Sequence, residues 1–184
     1  MTALSTAAWV AHDLGLAVGL GGSLFGRIAL EPSMEKIADR ETRGMVVNDA
    51  WRRFGTVQLG AFGVMGATWL LGRLKLTGWE VDQESRGLVL AKDVLIGTTL
   101  ATAVGAAITG SMLAAQRREG AVPMNSEGEA AADAPPKERR LGRTTDALGL
   151  VNLLAGAGVV ALTTILAMRA GQSNRWSLIS RFLP

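Results

Sequence analysis

The sequence predicts an all-α fold, an integral membrane four-helix bundle with an amphipathic segment between helices 1 and 2. Three observations carry this expectation. The apolar residues fall in four long runs, most charges lie between those runs, and most of the 23 glycines lie inside them. Hydrophobic residues make up 48 % of the 184-residue chain, and mean hydropathy is +0.25. A soluble domain matches that apolar share, so arrangement rather than composition points to the bilayer. Glycine costs a soluble helix about 1 kcal/mol relative to alanine, whereas in a membrane helix it lets two backbones approach closely.

The first span covers residues 7–30, with Ser5 or Thr6 as its N-cap and Pro32 ending it. No basic stretch precedes it and no small-residue cleavage site follows, so it reads as a retained helix rather than a signal peptide. Residues 31–55 are rich in charge. Met34, Ile37, Ala38, Met45, Trp51 and Phe54 recur there at roughly helical spacing. That pattern predicts an amphipathic helix, either lying in the interface or extending the second span outward. The second span covers 56–72 and the third 88–115, joined by a short polar stretch. Residues 116–145 form the longest polar segment. Its core, 120–137, is rich in Ala, Glu, Pro and Gly and predicts a flexible loop. The fourth span covers 147–168, and a short tail follows. Each run suits a bilayer core that about 20 helical residues cross. No alternating pattern of a membrane barrel occurs.

Four spans place both termini on one side. Arg27, Lys36, Arg40, Arg43, Arg52, Arg53, Arg117, Arg118, Lys137, Arg139, Arg140 and Arg143 belong to the other side, which therefore holds twelve of the 19 basic residues. The positive-inside rule predicts cytoplasmic loops at 31–55 and 116–145, with the termini outside. The absence of cysteine excludes disulfides, thiolate metal sites and cysteine nucleophiles. A single histidine excludes a multi-histidine site within one chain. Clustered at span ends, the basic residues report topology and contact with anionic lipid rather than nucleic acid. No phosphate loop, dinucleotide fingerprint or hydrolase motif occurs.

Four constellations stand out. Gly15, Gly19, Gly22 and Gly26 repeat at steps of four and three, which keeps them on one face of span one. Gly60 and Gly63, with Thr56 and Ala67, repeat the device in span two, and Gly97, Ala101, Gly105 and Thr109 in span three. Such stripes predict close helix packing. His12 continues the first stripe and is expected to face protein, with Asp13 rotated by about 100°. Lys92 and Asp93 sit at matching depth in span three. The strings Val10-Ala11-His12-Asp13-Leu14 and Leu90-Ala91-Lys92-Asp93-Val94 run parallel. Together these four residues predict a polar layer near the termini, in which Lys92 neutralises Asp13 and His12 faces Asp93 if spans one and three pack together. The alternative is that Lys92 snorkels to the surface beside Asp93. Asn152 in span four is expected to make an interhelical hydrogen bond, with Gln58 as its partner.

The stretch from Ala11 through His12, Gly15, Gly19, Gly21, Gly22 and Gly26 to Pro32 resembles the opening of a class of small bacterial membrane proteins. That class includes the copper-resistance-D-like proteins and related four-helix families of unknown function. The resemblance covers about thirty residues and implies a four-helix unit in a bacterial inner membrane, with a role for His12. The expected function is non-enzymatic: an accessory or scaffold subunit of a membrane complex, in contact with lipid and with other membrane subunits or copies of itself. One alternative is a small transporter or channel component using His12, Asp13, Lys92 and Asp93. Another is a membrane redox or metal-binding protein. No cofactor, metal or nucleic acid is expected.

Overall fold

The computed structural model describes residues 3–75, 83–115, 124 and 131–179, with side chains for 6–74, 86–115, 124 and 131–169. These residues form four long helices: α1 (Ala3–Phe25), α2 (Arg40–Lys75), α3 (Gln83–Ala114) and α4 (Pro136–Ile179). Each contains a segment long and apolar enough to cross a membrane. Their outer faces carry large exposed apolar side chains, among them Leu14, Leu74, Leu90, Leu154 and Met168. A soluble monomer rarely shows apolar surface on that scale. Hydroxyls turned into the helices bond carbonyls one turn back, as with Ser23 to Gly19, Thr99 to Leu95 and Thr163 to Val159. Such bonds satisfy a hydroxyl where no water is available.

Several boundaries differ from the sequence reading: the first helix begins at Ala3, ahead of the expected cap at Ser5 or Thr6, and the last runs on to Ile179. Pro32 does not end the first helix. A π turn (Gly26–Leu30) precedes it, in which the Glu31 N–H donates to the Gly26 carbonyl. A short α turn (Glu31–Ser33) and a 3-10 turn (Met34–Lys36) then carry the chain one turn further. A proline ring clashes with the carbonyl four residues back in a regular helix, and a wider turn is one way to accommodate it. The amphipathic segment takes the second of its two expected forms: from Arg40 it is the outward extension of α2, started by Asp39, whose carboxylate accepts bonds from the Thr42 N–H and hydroxyl at 2.7 and 2.6 Å. Finally, α4 begins at Pro136 rather than at residue 147. Proline is favoured in the first helical turn, and Lys137, Glu138, Arg139 and Arg140 are compatible with helix. Of the expected flexible loop, 120–123 and 125–130 lie outside the described residues. Ala131 and Ala134 are buried, and the Arg43 side chain donates to the Met124 carbonyl.

The most extensive pairing is α3 with α4, followed by α1 with α2; α2 meets α3, and α1 meets α4. Spans one and three are thus diagonal rather than adjacent. The core on the bundle axis is Leu16, Phe62, Met65, Ile96, Ala103 and Val159. The glycine stripe of α1 receives the large residues of α2. A methyl group at Gly15 would strike the Ala61 carbonyl. At Gly19 it would strike the Phe62 ring, at Gly22 the Phe54 ring and at Gly26 the Trp51 ring. The second stripe does not pack in the same way. Gly60 and Gly63 have nothing within reach of an added methyl and lie on the outer face of α2, as does Gly97 on α3. The bulky row Trp51, Phe54, Phe62 and Met65 has the greater apolar area to bury, and it turns α2 so that the glycines face away.

Candidate functional site

The site forms near the end of the bundle where α1 and α3 begin and α2 finishes. Trp9 and His12 share a face of α1 at a spacing of three, and Met65, Trp69 and Arg73 share a face of α2 at spacings of four. From α3, diagonal to α1, Lys92 extends across the bundle axis towards both. Lys92 is 0 % and His12 2 % exposed. The lysine therefore does not snorkel; its charged end lies inside the protein.

The His12 ring lies 5.9 Å from that of Trp9 and 6.1 Å from that of Trp69, centre to centre. Lys92 Nζ lies 4.0 Å from the centre of the Trp69 ring and 5.3 Å from that of Trp9. Histidine and lysine thus share the same two tryptophans. His12 Nδ1 is 2.9 Å from the Met65 carbonyl. A carbonyl only accepts, so Nδ1 carries a hydrogen and Nε2 is the ring nitrogen left free to gain or lose one. Among the described residues, neither His12 Nε2 nor Lys92 Nζ has a hydrogen-bond partner. A desolvated cation–aromatic contact contributes about 2 kcal/mol, while removing an ammonium from water costs several. The rings offset only part of that cost.

The expected carboxylate contacts are replaced by others. Asp93 does not face His12: it accepts the Trp69 indole N–H at 2.6 Å and pairs with Arg73 at 3.2 Å. Asp13 lies on the exposed side of α1 and makes no ion pair with Lys92. Trp9, Trp69 and Arg73 complete the layer and were not singled out from sequence. Their signal is spacing: Trp9 stands three residues before His12, and Trp69 four before Arg73, at the depth of Lys92.

Polar groups recur further along the axis. Ser23 accepts from Gln58 at 2.5 Å. Asn152 donates to the Thr99 carbonyl at 2.7 Å and to the Thr102 hydroxyl at 3.0 Å. Asn152 therefore joins α4 to α3, and Gln58 joins α2 to α1 instead of meeting Asn152. Thr145 donates to Thr109 at 2.8 Å, and Arg27 to the Asp146 carbonyl at 2.8 Å. At 1.5 Å per residue, Lys92 to Thr109 spans about 25 Å. Polar side chains thus stand at three depths inside the bundle, with Leu16, Phe62, Ile96 and Val159 packed between the first and the second. No group of three or more His, Asp or Glu side chains among the described residues is placed to hold a metal ion. No family model, no curated protein and no solved structure matches this chain, which leaves the buried layer itself as the basis for a functional reading.

Proposed function

We propose that this chain is a small transporter or channel component in which the layer of His12, Lys92, Trp9 and Trp69 handles a proton. The observation that carries the reading is a fully buried lysine beside a buried histidine, each with an unpartnered polar nitrogen. Both nitrogens exchange protons readily. Ionisable residues within a span are costly to keep and mark relays or ligand sites. The inner levels at Ser23 and Gln58, at Thr99, Thr102 and Asn152, and at Thr109 and Thr145 supply further relay groups. Leu16, Phe62, Ile96 and Val159 act as the plug that limits passage. Asp93 and Arg73 form the outer rim. The work is transfer rather than catalysis, and the reading assigns no resident cofactor. The resemblance of span one supports a bacterial inner membrane, and the basic loops support termini outside.

Full-length protein in vesicles with a trapped pH-sensitive dye tests this. The wild type is expected to collapse an imposed pH gradient faster than protein-free vesicles, Lys92→Met to remove that excess, and Val159→Ala to raise it. Wild-type rates equal to empty vesicles, or an unchanged rate in Lys92→Met, overturn the proposal.

A second reading, an accessory or scaffold subunit, is supported by a different observation. Thr56, Gly60, Gly63 and Ala67 form a small-residue row on the exposed face of α2, of the kind against which another membrane helix packs. Native mass spectrometry of the purified protein distinguishes the two readings: a stable partner or second copy lost in Gly60→Leu favours the scaffold.

A further inference from the structure

We propose that the groove beside the first turns of α4 binds an anionic phospholipid, with its phosphate on Arg139, Arg140 and Arg143 and an acyl chain along Ala147, Leu148 and Val151. The groove encloses about 540 Å³, and Thr102 of α3 contributes to its lining. Arg139, Arg140 and Arg143 all line it, and no carboxylate does so among the described residues. Among the described residues, Arg140 and Arg143, both exposed, form no ion pair, and the buried Arg139 Nε has no hydrogen-bond partner. Other arginines on this side are engaged: Arg52 and Arg53 with Asp49, Arg40 with Asp133, Arg43 with backbone carbonyls.

The chemistry changes sharply along the helix. Arg139 and Arg143 lie one turn apart on one face, and the apolar run begins at Ala147. From Arg143 to Val151 is about 12 Å along the axis, the direction in which an acyl chain leaves its headgroup. A guanidinium fork matches two phosphate oxygens. Basic pockets between membrane helices are suited to anionic headgroups. A free phosphate would use only the arginines and leave the apolar wall idle.

Thermal unfolding of the full chain in detergent tests the site. Palmitoyl-oleoyl phosphatidylglycerol, its phosphatidylcholine counterpart and inorganic phosphate are added separately. The glycerol lipid is expected to raise Tm by about 5 °C, and the other two to leave it unchanged. The double variant Arg140→Gln/Arg143→Gln should lose the shift, while Arg52→Gln/Arg53→Gln, on the same side but outside the groove, should keep it. Equal shifts with phosphatidylcholine, a shift with phosphate alone, or a full shift in the Arg140/Arg143 variant overturns the site. If that variant melts lower without lipid, native mass spectrometry decides. Retention of phosphatidylglycerol by the wild type and not by the variant supports the site, and equal retention overturns it.

Discussion

An ammonium group inside a membrane helix ordinarily bends its stem towards the headgroups. Lys92 does the opposite because Trp69 and Trp9 offer it aromatic faces within the bundle, and because Asp93 is already held by Trp69 and Arg73. Outside the spans, Asp39 shows a simpler carboxylate at work. The Thr42 hydroxyl and then its backbone N–H hold the Asp39 carboxyl below its ordinary value of 3.8. A lowered folded-state pKa means that the fold favours the charged form. Its contribution is complete above the unfolded value and is lost as pH falls through the folded one. Asp39→Ala is therefore expected to lower Tm at neutral pH, with the gap to wild type closing in the acid range. Melting curves across pH check this, and a gap that stays constant into strong acid would assign the loss to something other than the cap. The positions of His12 and Lys92 were legible from depth and from the glycine stripe. Their aromatic partners were not, because which residues of α2 face the axis depends on how that helix is rotated.

Rotation of α2 is decided by fit. Its Phe62, Phe54 and Trp51 rings enter the trough at Gly19, Gly22 and Gly26, and its backbone at Ala61 and Met65 lies against Gly15. Placing a leucine in that trough forces a ring or a backbone to move, and overpacking of this kind costs about 1–3 kcal/mol. Gly19→Leu and Gly22→Leu are expected to lower stability in detergent more than Leu20→Ala, since Leu20 is only half-buried, against Gly156. Gly60→Leu, on the outer face, should leave the isolated chain as stable as wild type. Thermal melts of the four variants decide; equal losses at positions 19, 20 and 22 would show that the trough is not the interface. The existence of each span was legible from run length alone. The ends were not: Pro32 reads as a stop until a π turn accommodates it, and Pro136 opens a helix within a stretch whose composition reads as loop. Nor does spacing distinguish the stripe that packs from the one that faces outward, because Gly60 and Gly63 repeat as regularly as Gly15 and Gly19.

Across the whole molecule, the basic residues divide unevenly between the two ends of the bundle, and the richer end carries the Arg139–Arg143 groove. Fusions of a periplasm-active and a cytoplasm-active reporter to the C-terminus are expected to show activity only from the first. Signal from the cytoplasmic reporter alone would reverse the orientation and leave the four spans intact. The order of helices around the bundle was the part least visible in advance. Matching depth suggested that spans one and three touch, yet they are diagonal, and a long lysine side chain bridges the gap.

The pairing of helices also has a consequence for how the protein is made. With α1 closely packed on α2, and α3 on α4, the molecule consists of two antiparallel hairpins in the order in which they leave the ribosome. The first contains the two least apolar spans and carries the histidine; the second brings the lysine and the most apolar span, α4. Until the second docks, the imidazole of the first stands at the edge of an unfinished surface, without the cation that shares its tryptophans. A half-made chain would therefore expose a polar flaw to the lipid.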